Sequence, residues 1–181
     1  MSKIILIPIF CLIISPCSGQ IVNDKITASV EIVGKGNPIH CTLPDSNWYF
    51  AKFAVRNNTD STIKLFISDP FWYNNWITEN DSIFITPFAG DGGMFVPFDL
   101  SSKKSQIFYG VIRPKLGTIS NQLRIGFVDF RRSAIISSGF RESQLKQKIY
   151  WSNKIKLESK IVMKKDEVIK FENQMPFWPT N

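Results

Sequence analysis

The stretch Trp48-Tyr49-Phe50-Ala51-Lys52-Phe53-Ala54-Val55 decides the fold class. Successive side chains of an extended strand point to opposite faces. On that period Tyr49, Ala51, Phe53 and Val55 share one wholly apolar face, which predicts a surface turned into the core, while Trp48, Phe50 and Ala54 share the other with Lys52. Asn57-Asn58-Thr59-Asp60-Ser61 then supplies a polar turn, and Ile63, Leu65 and Ile67 fall on one side of the next strand.

Outward from this pair, the same alternation of β-branched and aromatic residues marks 25–33, 48–56, 62–68, 82–86, 94–98, 106–113, 123–130 and 149–157. Turn signals separate these runs at Asn74-Asn75, Asn80-Asp81, Gly90-Asp91-Gly92-Gly93, 114–117 and Ser137-Ser138-Gly139. Residues 142–148 alone read as helix. Residues 161–171 read as one more strand or a hairpin, and Met175-Pro176-Phe177-Trp178-Pro179 as irregular chain. The predicted fold is an all-β antiparallel β-sandwich over residues 20–160, immunoglobulin-like or fibronectin-like in general architecture. Residues 161–181 then form a C-terminal strand or hairpin and tail. The same alternation would serve a closed β-barrel, the alternative fold. The Cys–Trp–Cys pattern of antibody domains is absent, and no repeat of solenoid or propeller length is present.

Composition agrees with a packed domain. Hydrophobic residues make up 44% and charged residues 20% of 181, enough apolar material to offset the entropy of ordering, which excludes a disordered chain. Gly, Pro and Cys number 10, 10 and 3, which excludes collagen-like and cysteine-stapled chains.

The first residues predict export. Lys3 precedes an apolar run over 4–14, followed by Ser15-Pro16-Cys17-Ser18-Gly19, the layout of a secretory signal peptide over residues 1–19. The run is shorter than the about 20 residues that span a bilayer, and no later stretch qualifies, so no transmembrane helix is expected in the mature chain. Cys17 and Gly19 suit cleavage before Gln20. The alternative is a lipoprotein-like box at Ile14-Ser15-Pro16-Cys17, with Cys17 lipidated; Pro16 departs from the small residue usual there. With Cys11 inside the signal, cleavage after Gly19 leaves Cys41 alone and no internal disulfide. That pattern points to a bacterial envelope: periplasm, outer-membrane surface or extracellular.

Charge is unevenly spread. Residues 20–100 carry a net −4 and residues 101–181 a net +10. A basic second half suits anionic contacts such as lipid headgroups or acidic glycans, or simply solvates strand faces. Nucleic acid is not expected for an exported chain.

No catalytic constellation emerges. His40 and Cys41 are strand neighbours that point apart, so they form no nucleophile–base pair, and one His with one Cys makes no zinc cluster. Ser101-Ser102-Lys103-Lys104 and Ser143-Gln144-Leu145-Lys146 match Ser-x-x-Lys without its companion motifs. Glu79, Asp81 and Asp91 are acids near aromatic chain, the minimal ingredients of a glycoside hydrolase, and Asp91-Gly92-Gly93 lacks the spaced acids of a calcium loop. Asn57-Asn58-Thr59 and Asn80-Asp81-Ser82 match the glycosylation triplet. No cofactor is implied.

The run Phe71-Trp72-Tyr73-Asn74-Asn75-Trp76 reads as a connection rather than a strand. Flat rings with amide neighbours suit a sugar or a protein hot spot, so Trp72, Tyr73, Asn74, Asn75 and Trp76 are the candidate ligand-binding residues. The competing role is to plug one end of the sandwich. The expected function is a non-catalytic protein-interaction or assembly module of the envelope, with an envelope protein as partner. A glycan-binding module using the aromatic run is the alternative, and a small hydrolase a distant third.

Overall fold

The computed structural model describes residues 24–39, 48–69, 72–79, 82–86, 94–115, 122–130, 144–145, 147–158 and 160–174. They form nine strands: β1 (Ile26–Gly36), β2 (Trp48–Asn57), β3 (Ile63–Asp69), β4 (Trp76–Thr78), β5 (Ile83–Thr86), β6 (Met94–Leu100), β7 (Ser105–Pro114), β8 (Ile125–Asp129) and β9 (Lys148–Trp151). A 3-10 turn over Trp72–Asn75 precedes β4, and one helix, α1 (Lys165–Glu172), follows β9. The protein is all-β, with antiparallel sheets ordered β1-β2-β7-β5, β3-β6 and β4-β8-β9. Among the described residues no sheet closes into a barrel.

The apolar face expected on β2 is where the core forms. Tyr49, Ala51, Phe53 and Val55 are buried, with Ile26, Ala28 and Val30 beside them on β1 and Phe108 and Ile112 on β7. This face packs against Leu65 and Ile67 of β3, Ile125 and Phe127 of β8, and the rings of Trp72 and Trp76. Burial, and secondarily the Glu158 carboxylate, holds the Tyr49 phenol above the ordinary tyrosine range. The folded chain therefore keeps that proton more tightly than the unfolded one. The resulting stability is complete below about pH 10 and is lost as pH rises through the folded-state value. Denaturant midpoints measured across that range should fall, and Tyr49→Phe should flatten the fall; an unchanged slope in the variant would refute this assignment.

The second face of β2 is also covered. Trp48 and Phe50 are buried with Val111, Val168 and Phe171, because α1 lies across that side of the sheet. The Phe171 ring stands edge-on to Phe50 at 5.2 Å and to Tyr109 at 5.4 Å. The strand or hairpin expected over 161–171 is corrected accordingly: 165–172 are helical. Val168 and Phe171 are three apart, so a helix puts both on one face where a strand would part them. Asp166 and Glu167 favour the positive N-terminus, and the Glu167 carboxylate accepts the Lys164 backbone N–H at 2.7 Å. Ahead of the helix, Val162 makes a parallel bridge to Lys35. Met163 lies so close to Gly34 that a Cβ there would sit 2.5 Å from its Cγ. In the helix expected over 142–148, Gln144 and Leu145 are helical, but Lys148 already opens β9.

Candidate strand-binding groove

Neighbouring runs in the sequence do not always pair. The turn from Ser101 to Lys104, closed by a 3.2 Å bond from Lys104 N–H to the Ser101 carbonyl, joins β6 to β7. Yet β6 pairs with β3, and β7 with β2. The connection from β2 to β3 likewise moves between sheets. Asn57 locks this corner: its buried amide NH2 donates to the carbonyls of Ser61, Leu100 and Ser101 at 2.7, 2.9 and 3.1 Å. That nitrogen is thus enclosed in the fold, so the Asn57 triplet presents no free acceptor for a glycan. The Ser-x-x-Lys match at Ser101 and Lys104 is this turn, with Lys103 taking a positive φ of 57°.

Because β6 and β7 are linked but unpaired, a groove opens between them. Its volume is about 420 Å³, and its walls are Val96, Pro97 and Phe98 of β6 and residues 106–109 of β7. Trp72 and Ile67 lie at its inner side and Gln174, just beyond α1, at its outer side. The volume falls in the roughly 300–1,000 Å³ range of small-ligand sites. Strand β5 covers only Val111–Pro114 of β7. Among the described residues, 106–109 therefore have a strand partner only in β2, and β6 only in β3. Ile107, at 44% exposed, is one of the few large apolar side chains open to solvent.

The other long edge is closed. On β1 the Asn153 side chain accepts the Val30 N–H at 3.3 Å and donates to the Val30 carbonyl at 3.5 Å. Further along, the Lys35 N–H donates to the Ile161 carbonyl and the Lys35 carbonyl accepts the Met163 N–H, each at 2.8 Å. Unpaired edges invite association, and side-chain capping of this kind blocks it.

The aromatic run is placed by the fold in the interior. Trp72, Tyr73 and Trp76 are buried, so the open ring faces expected of a stacking platform are absent. The Trp72 ring stacks on Phe108 at 5.1 Å and 19°, and Phe53 touches both Trp72 and Trp76. Their indole N–H groups find no acceptor among the described residues. Asn75 is fully buried at the end of the 3-10 turn. Its carbonyl oxygen accepts the Ser68 N–H at 2.8 Å, and its NH2 donates to the Phe66 carbonyl at 2.8 Å and the Val128 carbonyl at 3.0 Å. It splices β3 to β8 where no strand lies between them. Half-buried Asn74 donates to Ser68 Oγ at 3.4 Å, and its carbonyl accepts from Gln144 at 2.7 Å. Of the five predicted residues, Trp72 alone lines the groove.

Glu79 is exposed. Cys17, His40, Cys41, Asp81, Asp91, Ser143 and Lys146 lie outside the described residues. Sequence reading missed the groove itself. The available signal was Ile107, an apolar residue on the face of β7 opposite Phe108, but nothing local shows that β6 and β7 part. Comparison with protein-family models, with curated proteins and with solved structures finds no match.

Proposed function

We propose that this chain is a non-catalytic, exported protein of the cell envelope, whose β-sandwich domain of immunoglobulin-like general architecture serves as a protein-interaction module. It takes an extended segment of a partner protein along the groove between β6 and β7. The observation that carries this reading is the contrast between edges: β1 is capped by Asn153, Ile161 and Met163, whereas β7 at 106–109 borders an apolar groove. Added strands bind through main-chain hydrogen bonds, and pockets for alternate side chains give selectivity. Here inward side chains would meet Trp72, Phe98 and Phe108, and outward ones Ile107 and Tyr109.

The sandwich assignment is supported by the β2 face around Phe53 packing against β3 and β8. Exposed Lys154, Lys156, Lys160, Lys164, Lys165 and Lys170 give the basic half a surface suited to anionic headgroups or acidic glycans. Such contact should weaken steeply as salt rises to physiological strength.

The test is cross-linking in intact host cells followed by mass spectrometry, comparing the native chain with Ile107→Lys. The native chain should bring down an envelope protein in near-equal amount. The variant should lose it with its melting temperature kept, since a substitution at so exposed a side chain costs within about 0.5 kcal/mol. Equal capture by both chains would show that the groove is not the interface.

A further inference from the structure

We infer that in the isolated chain the groove is filled by the chain's own residues 175–181, added as one short edge strand beside β7, so that a partner segment binds by displacing them. This rests on the reading of the groove as a strand-binding site. The first support is position. Gln174 lines the groove and is the residue immediately before this segment. Its place is fixed: its N–H donates to the Phe171 carbonyl at 2.9 Å and its side-chain amide to the Lys170 carbonyl at 3.0 Å. Phe171 in turn packs on Tyr109, itself a wall of the groove.

Reach is sufficient. Residues 106–109 span about 10 Å of strand, and four residues beyond Gln174 extend about 13 Å. Trp178 is the fourth. The chemistry also matches. The segment Met175-Pro176-Phe177-Trp178-Pro179-Thr180-Asn181 carries no charged side chain, and Asp69 is the one charged residue among the groove's lining. In an extended segment Phe177 and Trp178 point opposite ways, one toward the inner wall and one over Ile107. Pro176 and Pro179 lack N–H groups, which suits an outermost strand and stops further strands from adding.

The test compares the full native chain with Phe177→Asp/Trp178→Asp by hydrogen exchange and by uptake of a fluorescent synthetic peptide of residues 174–181. The amides of 106–109 should exchange at least tenfold faster in the double variant, with β2 amides unchanged. The peptide should bind the double variant but not the native chain, and adding Ile107→Lys should abolish that binding. Equal exchange with equal peptide uptake by both chains would mean the native groove is empty. That overturns the displacement model, while peptide loss on Ile107→Lys would leave the strand-binding reading standing. Unchanged exchange with no uptake by either chain would overturn the segment's fit, leaving the groove to be judged by the cellular partner. Protection that rises with concentration, together with dimers in sedimentation, would assign the segment to a second copy and overturn the intramolecular form.

Discussion

Phe53→Ala should lower stability by about 3–5 kcal/mol, the range for emptying a buried aromatic site in a packed core. Phe53 has no exposed surface and sits in the middle of β2, with Trp72 at 5.4 Å and Trp76 at 5.2 Å between ring centres. Those neighbours are large, and they are anchored in turn by Phe108 and Phe127. The space left by the ring is therefore not easily refilled. For a chain of this size the melting temperature should drop by roughly 10 °C or more. Equilibrium denaturation of native and variant chains measures it. A loss under about 1 kcal/mol would mean the two sheets do not meet at Phe53, and the sandwich assignment would go with it.

Asn75 should behave as a structural splice rather than a ligand contact. Asn75→Ala leaves the Ser68 N–H and the Phe66 and Val128 carbonyls without their partner. An unsatisfied buried polar group costs about 1–3 kcal/mol, and partial relaxation brings the expected total to about 3–4 kcal/mol. Asn75→Asp should be at least as damaging, because it turns a carboxylate oxygen toward two carbonyls. Thermal melts of both variants provide the check. Were Asn75 a glycan contact, both would melt like the native chain and lose only retention on a polysaccharide column.

The strands were legible because alternation is a local property. Trp48 to Val55 shows its core face without reference to any other residue, and the expected runs at 48–56, 62–68, 82–86 and 106–113 differ from β2, β3, β5 and β7 by a residue or so at the ends. Strand β4 was missed, since Trp76–Thr78 is three residues long and its pairing with β8 comes from far along the chain. The aromatic run was misread for a related reason. Rings in a connection look the same in sequence whether they face water or Phe53, and only the second sheet settles it.

The amino-acid sequence by itself determined the all-β class, the apolar face of β2 and most strand positions, all of which depend on neighbours within a few residues. Tertiary structure decided the rest. Whether β6 and β7 pair or separate depends on which partner each finds, β3 or β2, more than 30 residues away in the chain. Whether Trp48 and Phe50 meet water depends on α1, over 100 residues distant. The groove exists because two strands joined by a short turn are drawn into different sheets by those distant contacts.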